Sequence, residues 1–177
     1  MSEPGAHCSF CGAAMSQRQG HTRRCDACGE TTYVNPIPVA TVLLPVVRDG
    51  RPGLLAIRRR TPPRVGELSF PGGYVHFGES WQEGAVRELF EETGIELENP
   101  RSLRAFDVLS TSRGHLINIY GLADLRDWNT LGELVPTAEA SEFVLLDAPA
   151  PMAFPQDDVV VQAFFESAFW RGMNQAD

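Results

Sequence analysis

Two sets of residues in this chain have the type and spacing to do chemistry. The first is a pair of cysteine doublets, Cys8-Ser-Phe-Cys11 and Cys25-Asp-Ala-Cys28, with thirteen residues between Cys11 and Cys25. Two C-x2-C pairs at this distance match a four-thiolate, tetrahedral zinc site. A glycine follows each pair, Gly12 and Gly29, which suits a tight turn that aims backbone amides at the sulfurs. Two disulfides or free thiols are the other readings, and a reducing compartment disfavours disulfides. His7 and His21 could substitute as ligands, but four thiolates already complete the tetrahedron. The expectation is a closed, structural Zn²⁺ ribbon held by Cys8, Cys11, Cys25 and Cys28, with the metal supplying most of its folding free energy. The intervening segment, with Gln19-Gly20 near its middle, is long enough for a short hairpin.

The second set is acidic. From Glu79 to Glu98 there are seven acids and a single arginine, Arg87. Ser80 and Glu83 make a capping box, and Thr93-Gly94 supplies a C-terminal stop, so a helix is predicted from about Ser80 to Thr93. At about 100° per residue, Leu89, Thr93, Val86 and Phe90 fall on one arc, flanked by Ala85 and Trp81. Glu83, Arg87, Glu88, Glu91 and Glu92 occupy the other. A solvated helix face would intersperse its signs, whereas Glu88 and Glu92 stand at i, i+4, where like charges destabilise. Carboxylates packed along one side imply a cation. Oxygen-only ligands favour Mg²⁺ or Mn²⁺ over zinc, and such ions usually contact a diphosphate as well. Gly84 lies inside the acidic arc at a cost of about 1 kcal/mol relative to alanine. Something must need that space, either a bound phosphate or a closely packed loop.

The elements that must position these residues can be read around them. A buried strand is predicted over 39–47, a turn at Asp49-Gly50 and a second strand over 54–58. A proline-rich loop, 61–66, and the run Ser69-Phe70-Pro71-Gly72-Gly73 lead into the acidic helix. A late strand is expected over 143–147. Asp157-Asp158 can cap a final helix running to about Arg171, with Val160, Val161, Phe164, Phe165, Ala168 and Phe169 apolar. With 177 residues and 43% hydrophobic content, the chain reads as one ordinary globular domain with a small attachment.

Composition narrows the chemistry further. All 15 basic residues are arginine, so there is no P-loop lysine, Schiff base or kinase-type ATP lysine. The formal charge is −8, but residues 1–66 hold nine arginines against four acids and residues 67–177 six against nineteen. Residues 1–35 balance three arginines against three acids, a poor footprint for nucleic acid; a structural or dimer-forming role suits the ribbon better. The longest nearly apolar run, 39–47, is far short of the ~20 residues a spanning helix needs. Residues 1–6 have neither a basic start nor an apolar stretch, so no secretory signal is read and a cytoplasmic location is expected.

Gly73, five residues, Glu79, seven residues and then Arg87-Glu88-Leu89-Phe90-Glu91-Glu92-Thr93-Gly94-Ile95 resembles the Nudix hydrolase signature at each of its nine fixed positions. The ribbon, the Tyr33-x-Asn35-Pro36 joint and the late strand are similar to a zinc-ribbon subgroup of that family. It includes NADH pyrophosphatases and FAD or ADP-ribose pyrophosphatases. The resemblance implies an α/β class fold, an α/β/α sandwich with a mixed sheet over 36–177, preceded by the zinc ribbon at 1–35. It implies metal-dependent hydrolysis of a diphosphate in a nucleotide-type substrate. Glu88 and Glu92 would be the main ligands of the catalytic metal and Glu91 would assist. Arg87 would hold glutamates in place by ion pairing, with Glu91 or Glu83. Glu79 would help directly or through water, and Gly73 would shape the loop between strand and helix. The general base would be a box glutamate or a later loop acid, for which Glu139 and Glu142 are candidates.

With no lysine available, arginine must hold the phosphates. Arg59, and less directly Arg58, are the candidates, with Gly73 beside them. Phe106, His115, Tyr120 and Phe154 are available to stack a base. The S-Q-P-W-P-F-P-x-S pattern of NADH pyrophosphatases is absent, and ADP-ribose or a related dinucleotide is the favoured substrate. A non-catalytic ligand sensor with a partner-binding ribbon is the alternative from another class. The complete set of box carboxylates argues for catalysis.

Overall fold

The computed structural model describes residues 5–15, 22–111 and 115–173. The chain divides into two compact units, Met1–Pro36 and Ile37–Asp177. In the first, each cysteine pair opens a turn closed by its glycine: the Gly12 amide donates to the Cys8 carbonyl over 3.0 Å, and the Gly29 amide to the Cys25 carbonyl over 2.8 Å. Strands β1 (Thr22–Arg24) and β2 (Thr31–Tyr33) pair antiparallel, so the hairpin spans the second cysteine pair. Gln19-Gly20 and His21 lie outside the described residues.

The second unit is an α/β/α sandwich. It begins with β3 (Ile37–Leu43), β4 (Pro45–Arg48) and β5 (Arg51–Arg59). The continuous strand expected over 39–47 is therefore two strands in two sheets. Pro45 has no N–H to give to an unbroken ladder, and the chain changes sheets at Leu44. The short strands β6 (Leu68–Ser69) and β7 (Gly72–Tyr74) lead into helix α1 (Trp81–Thr93). Strands β8 (Arg104–Ser110), β9 (Leu116–Leu122), β10 (Arg126–Asp127) and β11 (Ala140–Leu146) follow, then helices α2 (Pro155–Glu166) and α3 (Ala168–Met173).

One sheet has the order β7-β3-β9-β8, with β3 and β9 parallel. The other runs β10-β4-β5-β11, with β6 added to β5. Strand alternation sends Ala40, Val42 and Leu55 into the core shared with Ala85 and Leu89 of α1. It sends Leu43, Leu54 and Ala56 into the core shared with Val160, Val161 and Phe164 of α2.

Helix α1 starts and stops where its signals say. The Ser80–Glu83 capping box is formed, and Gly94, at φ 75°, donates its amide to Phe90. Two side chains depart from the helical-wheel reading. Phe90 is 49% exposed, and Glu92, placed on the acidic arc, is 3% exposed. Glu92 borders the apolar arc beside Leu89 and Thr93 and is drawn inward by a backbone donor on the neighbouring β7. The final helix also differs. Pro155 is its first residue and Phe154 precedes it, so Asp157 and Asp158 lie within the first turn and do not cap it. The helix breaks at Ser167, whose backbone is extended (φ −71°, ψ 157°) and whose hydroxyl accepts the Trp170 amide.

Candidate active site

Two constellations are built on these frames. In the first unit, the Cys8–Cys28 and Cys11–Cys25 sulfurs are each 3.7 Å apart, and all four lie within 4.8 Å of one another. Sulfurs placed ~2.3 Å from a shared tetrahedral ion would be ~3.8 Å apart, so the cluster fits zinc. The backbone amides of Cys11 and Phe10 hold the Cys8 thiol down at about 6, favouring the thiolate a metal requires. Cys8 and Cys25 are buried, Cys11 and Cys28 exposed.

In the second unit, Arg87 is the centre of an ion-pair network. It grips Glu79 through two nitrogens, at 2.8 and 3.3 Å. It also donates to Glu88 at 2.7 Å and Glu91 at 3.2 Å, and to the Tyr74 carbonyl at 2.9 Å. The expected pairing with Glu91 is present. The pairing with Glu83 is not among these bonds, because that carboxylate is spent on the Ser80 amide in the capping box. The Arg87 guanidinium holds Glu79 far below the usual carboxylate range, at about 2.

The glycines of the motif are explained by the same geometry. A methyl carbon added at Gly73 would lie 2.5 Å from the carboxylate carbon of Glu88. The bare backbone of β7 therefore lets Glu88 lie against it. At Gly84 the same carbon would meet the Glu79 carboxylate at 2.9 Å and the Val75 Cα at 3.5 Å. The space in the acidic arc thus belongs to Glu79 and its loop, which decides between the two readings of Gly84.

Glu92 behaves differently from its neighbours. Its carboxylate accepts the Gly72 amide at 2.8 Å and forms no ion pair among the described residues. Burial pushes its pKa up to about 8; the Gly72 amide opposes this, and the charges of Glu139 and Glu88 add to it. Nothing in the spacing of the motif announces this donor, although the Pro71-Gly72-Gly73 run marks a backbone turned toward the helix.

Glu88, Glu91 and Glu92 all line a cavity of about 680 Å³ that also reaches Arg59, Glu139 and Phe154. Carboxylate oxygens suit a hard divalent cation. Their oxygens are less gathered than the sulfurs of the ribbon: among the described residues, the four cysteines are the only group with three or more ligand atoms so close. Arg59 donates through Nε to the Pro63 carbonyl, and its guanidinium carbon sits 5.1 Å from the centroid of Phe154. Its terminal nitrogens have no hydrogen-bond partner among the described residues.

Arg58 and Glu142 are placed elsewhere. They pair with each other at 2.6 Å across the β5–β11 ladder, where they are register partners, and neither lines the cavity. Of the two loop acids, Glu139 is the one on the cavity wall. Of the four stacking candidates, Tyr120 and Phe154 line the cavity, whereas Phe106 and His115 do not. Phe106 instead packs toward Phe164, with ring centroids 6.2 Å apart.

Residues 37–164 match the NUDIX domain family model. A protein of Haemophilus influenzae (strain PittGG) named NAD-capped RNA hydrolase NudC is 35% identical over 96 residues, 53% of this chain and 35% of that protein. The ADP-ribose pyrophosphatase of Methanocaldococcus jannaschii is 33% identical over 113 residues, 60% of this chain and 63% of that protein. The match thus spans about a third of the first relative's length and under two thirds of the second's. Among solved structures, a NUDIX hydrolase from Nitrosomonas europaea superposes with a TM-score of 0.72 over 93% of this chain and 92% of that one, at 22% identity. That likeness shows a shared fold.

Proposed function

The chain belongs to the NUDIX family, and from that premise we propose that its second unit hydrolyses the diphosphate linkage of a nucleoside diphosphate derivative. The products are a nucleoside monophosphate and a second phosphorylated fragment. ADP-ribose, FAD and NADH-like dinucleotides are the substrate class. The observation that carries this reading is the clearance at Gly73, which lays Glu88 against bare backbone in a cavity shared with Glu91, Glu92 and Glu139. Glu88 and Glu92 are assigned as the main ligands of Mg²⁺ or Mn²⁺, with Glu91 assisting. Zn²⁺ is assigned to the four cysteines as a structural ion.

Bound there, a divalent ion supplies charge neutralisation for the diphosphate and a lowered pKa for an attacking water. The chain's own residues do the rest. Arg87 ties the cavity-lining Glu88 and Glu91 to Glu79 behind them, so the carboxylates are positioned before substrate arrives. Glu92 must give up its proton to serve as a ligand. Arg59 offers its terminal nitrogens to the phosphates, where its planar fork suits paired oxygens. Glu139 is the acid best placed to accept a proton as water attacks phosphorus and the anhydride bond breaks.

The test is a panel of ADP-ribose, FAD, NADH, diadenosine polyphosphates, nucleoside triphosphates and NAD-capped RNA, each with Mg²⁺ or Mn²⁺. Hydrolysis of a diphosphate-linked member supports the reading. Inactivity toward all of them transfers the assignment to a ligand sensor. The capped RNA is included because a relative is named for that substrate and it carries the same diphosphate.

A further inference from the structure

Glu139 reaches the cavity from a different part of the fold than the glutamates it faces, and one side chain joins the two. Glu88, Glu91 and Glu92 are carried by α1, whereas Glu139 directly precedes the buried Ala140 at the start of β11. Thr137 is half-buried, two residues before Glu139, and does not line the cavity. Its hydroxyl donates to the carbonyl of Glu92 over 3.1 Å. The same oxygen accepts the amides of Glu139 at 3.2 Å and Ala140 at 3.0 Å. A hydroxyl has one donor and two acceptor positions, so all of them are occupied and none is left for substrate or an ion.

Both sides of this junction are otherwise well anchored. Helix α1 ends at Thr93, so the Glu92 carbonyl is among the last four, which find no partner within a helix. The Glu92 carboxylate is held separately by the Gly72 amide, and the residue is fixed at both ends. On the loop side, the Thr137 amide donates to the Ala140 carbonyl at 2.8 Å and the Arg60 amide to the Glu139 carbonyl at 2.7 Å. The Arg60 guanidinium adds a bond to the Thr137 carbonyl at 3.1 Å. Among the described residues, no other hydrogen bond ties 137–140 to α1. The charge of Glu139 acts on the Glu92 carboxyl, and like charges facing across a cavity push apart. A bond between their backbones keeps them facing.

We propose that Thr137 is a positioning residue for hydrolysis: its hydroxyl fastens the Glu139 loop to α1 and so sets the distance from the proton-accepting carboxylate to the metal-binding glutamates. This rests on the reading of the cavity as a hydrolase site with Glu139 as the base. Ion and base must act on the same water, and a misplacement of about 1 Å can cost about a hundredfold in rate. Thr137 itself touches neither substrate nor ion; it acts through the two acids it spaces.

Steady-state kinetics of the full, zinc-loaded chain test this, with the fastest substrate of the panel above and saturating Mg²⁺. Thr137→Val keeps the shape and removes the hydroxyl; kcat should fall about tenfold to a hundredfold, with KM within about twofold of wild type. Thr137→Ser retains the hydroxyl and should recover most of the lost kcat. Glu139→Gln alone should lower kcat by about a hundredfold or more. On that background Thr137→Val should cost less than about threefold, since no base is left to misplace. A threonine that only supports the fold would cost the same factor in both backgrounds. Wild-type kcat in Thr137→Val, a loss confined to KM, or equal factors in the two backgrounds would overturn the role and leave the hydrolase reading standing. Full activity in Glu139→Gln removes the base and this role together, and inactivity of the wild type toward the whole panel removes the hydrolase reading as well. Should Thr137→Val not fold, Arg60→Gln takes its place in the same comparison. Loss of the exposed guanidinium bond to the Thr137 carbonyl should lower kcat several-fold only while Glu139 is present, and no loss would overturn the role.

Discussion

The cysteine cluster and the glutamate helix each crowd several acidic groups together, yet they meet the resulting repulsion in opposite ways. In the ribbon, four sulfurs converge within 4.8 Å of one another, two of the pairs at 3.7 Å, and no arginine or other cation pairs with them among the described residues. With zinc assigned there, the ion itself balances the charge. In the glutamate site, Arg87 holds Glu79, Glu88 and Glu91, and Glu92 is relieved by a raised pKa. That site has an internal counter-charge and a large apolar core behind it. The proposed assignment therefore has one region organised by its metal and the other organised before a metal binds. On the proposed assignment, the contrast makes a ribbon ion structural and a helix-bound ion exchangeable.

Removing each ion is the strongest way to break this comparison. Chelation of zinc should unfold the first unit, since ribbon metals contribute on the order of 10 kcal/mol or more to folding, while the second unit keeps its own transition. Circular dichroism and calorimetry with and without chelator would show it; an unchanged melting profile would mean the ribbon does not depend on its ion. Stripping Mg²⁺ or Mn²⁺ should abolish turnover and leave both transitions in place.

Glu92→Gln should lower turnover by about a thousandfold, equivalent to about 4 kcal/mol at the barrier, with no loss of folded structure. Full activity in this variant would sink the metal assignment. The pH dependence of stability sharpens the point. A folded-state pKa of about 8 for Glu92 exceeds the value near 4.5 of an unfolded glutamate, so the native state holds the extra proton between these limits. Stability of the Mg²⁺-free protein should therefore fall as pH rises through that window, by on the order of a few kcal/mol, and level off above it. Asp157, raised to about 6, adds a slope of the same sign below that pH. Urea titrations at pH 6.5 and 8.5 isolate Glu92, and Glu92→Gln should remove the difference. By the same linkage, divalent affinity should rise with pH up to about 8.

The smallest effect is expected at Gly84. Alanine there gains helix propensity of about 1 kcal/mol, yet its methyl must displace the Glu79 carboxylate at 2.9 Å. The variant should be close to neutral in stability and lose activity modestly. A clear gain in stability with full activity would show that Glu79 has room to move.

How much of this was legible in the sequence depends on whether a local signal existed. The ends of α1 were readable because the Ser80–Glu83 box and Gly94 act within one turn. The facing of its carboxylates was not, since the inward turn of Glu92 depends on an amide twenty residues earlier. The break at Leu44 was hidden inside a run of apolar residues whose only mark was Pro45. Asp157 has the type of a cap, but Pro155, a residue favoured at the first helical position, starts the helix two residues earlier. Glu142 and Arg58 looked suitable by type, and strand register paired them with each other.

The crossing at Leu44 also governs how the second unit comes apart. Leu43 and Leu44 are adjacent and both fully buried, one in the core beneath α2 and the other in the core beneath α1. Rotating this one dipeptide out of place opens both layers together. The unit should thus exchange its core amides in a single cooperative opening, and neither layer should melt while the other stays native.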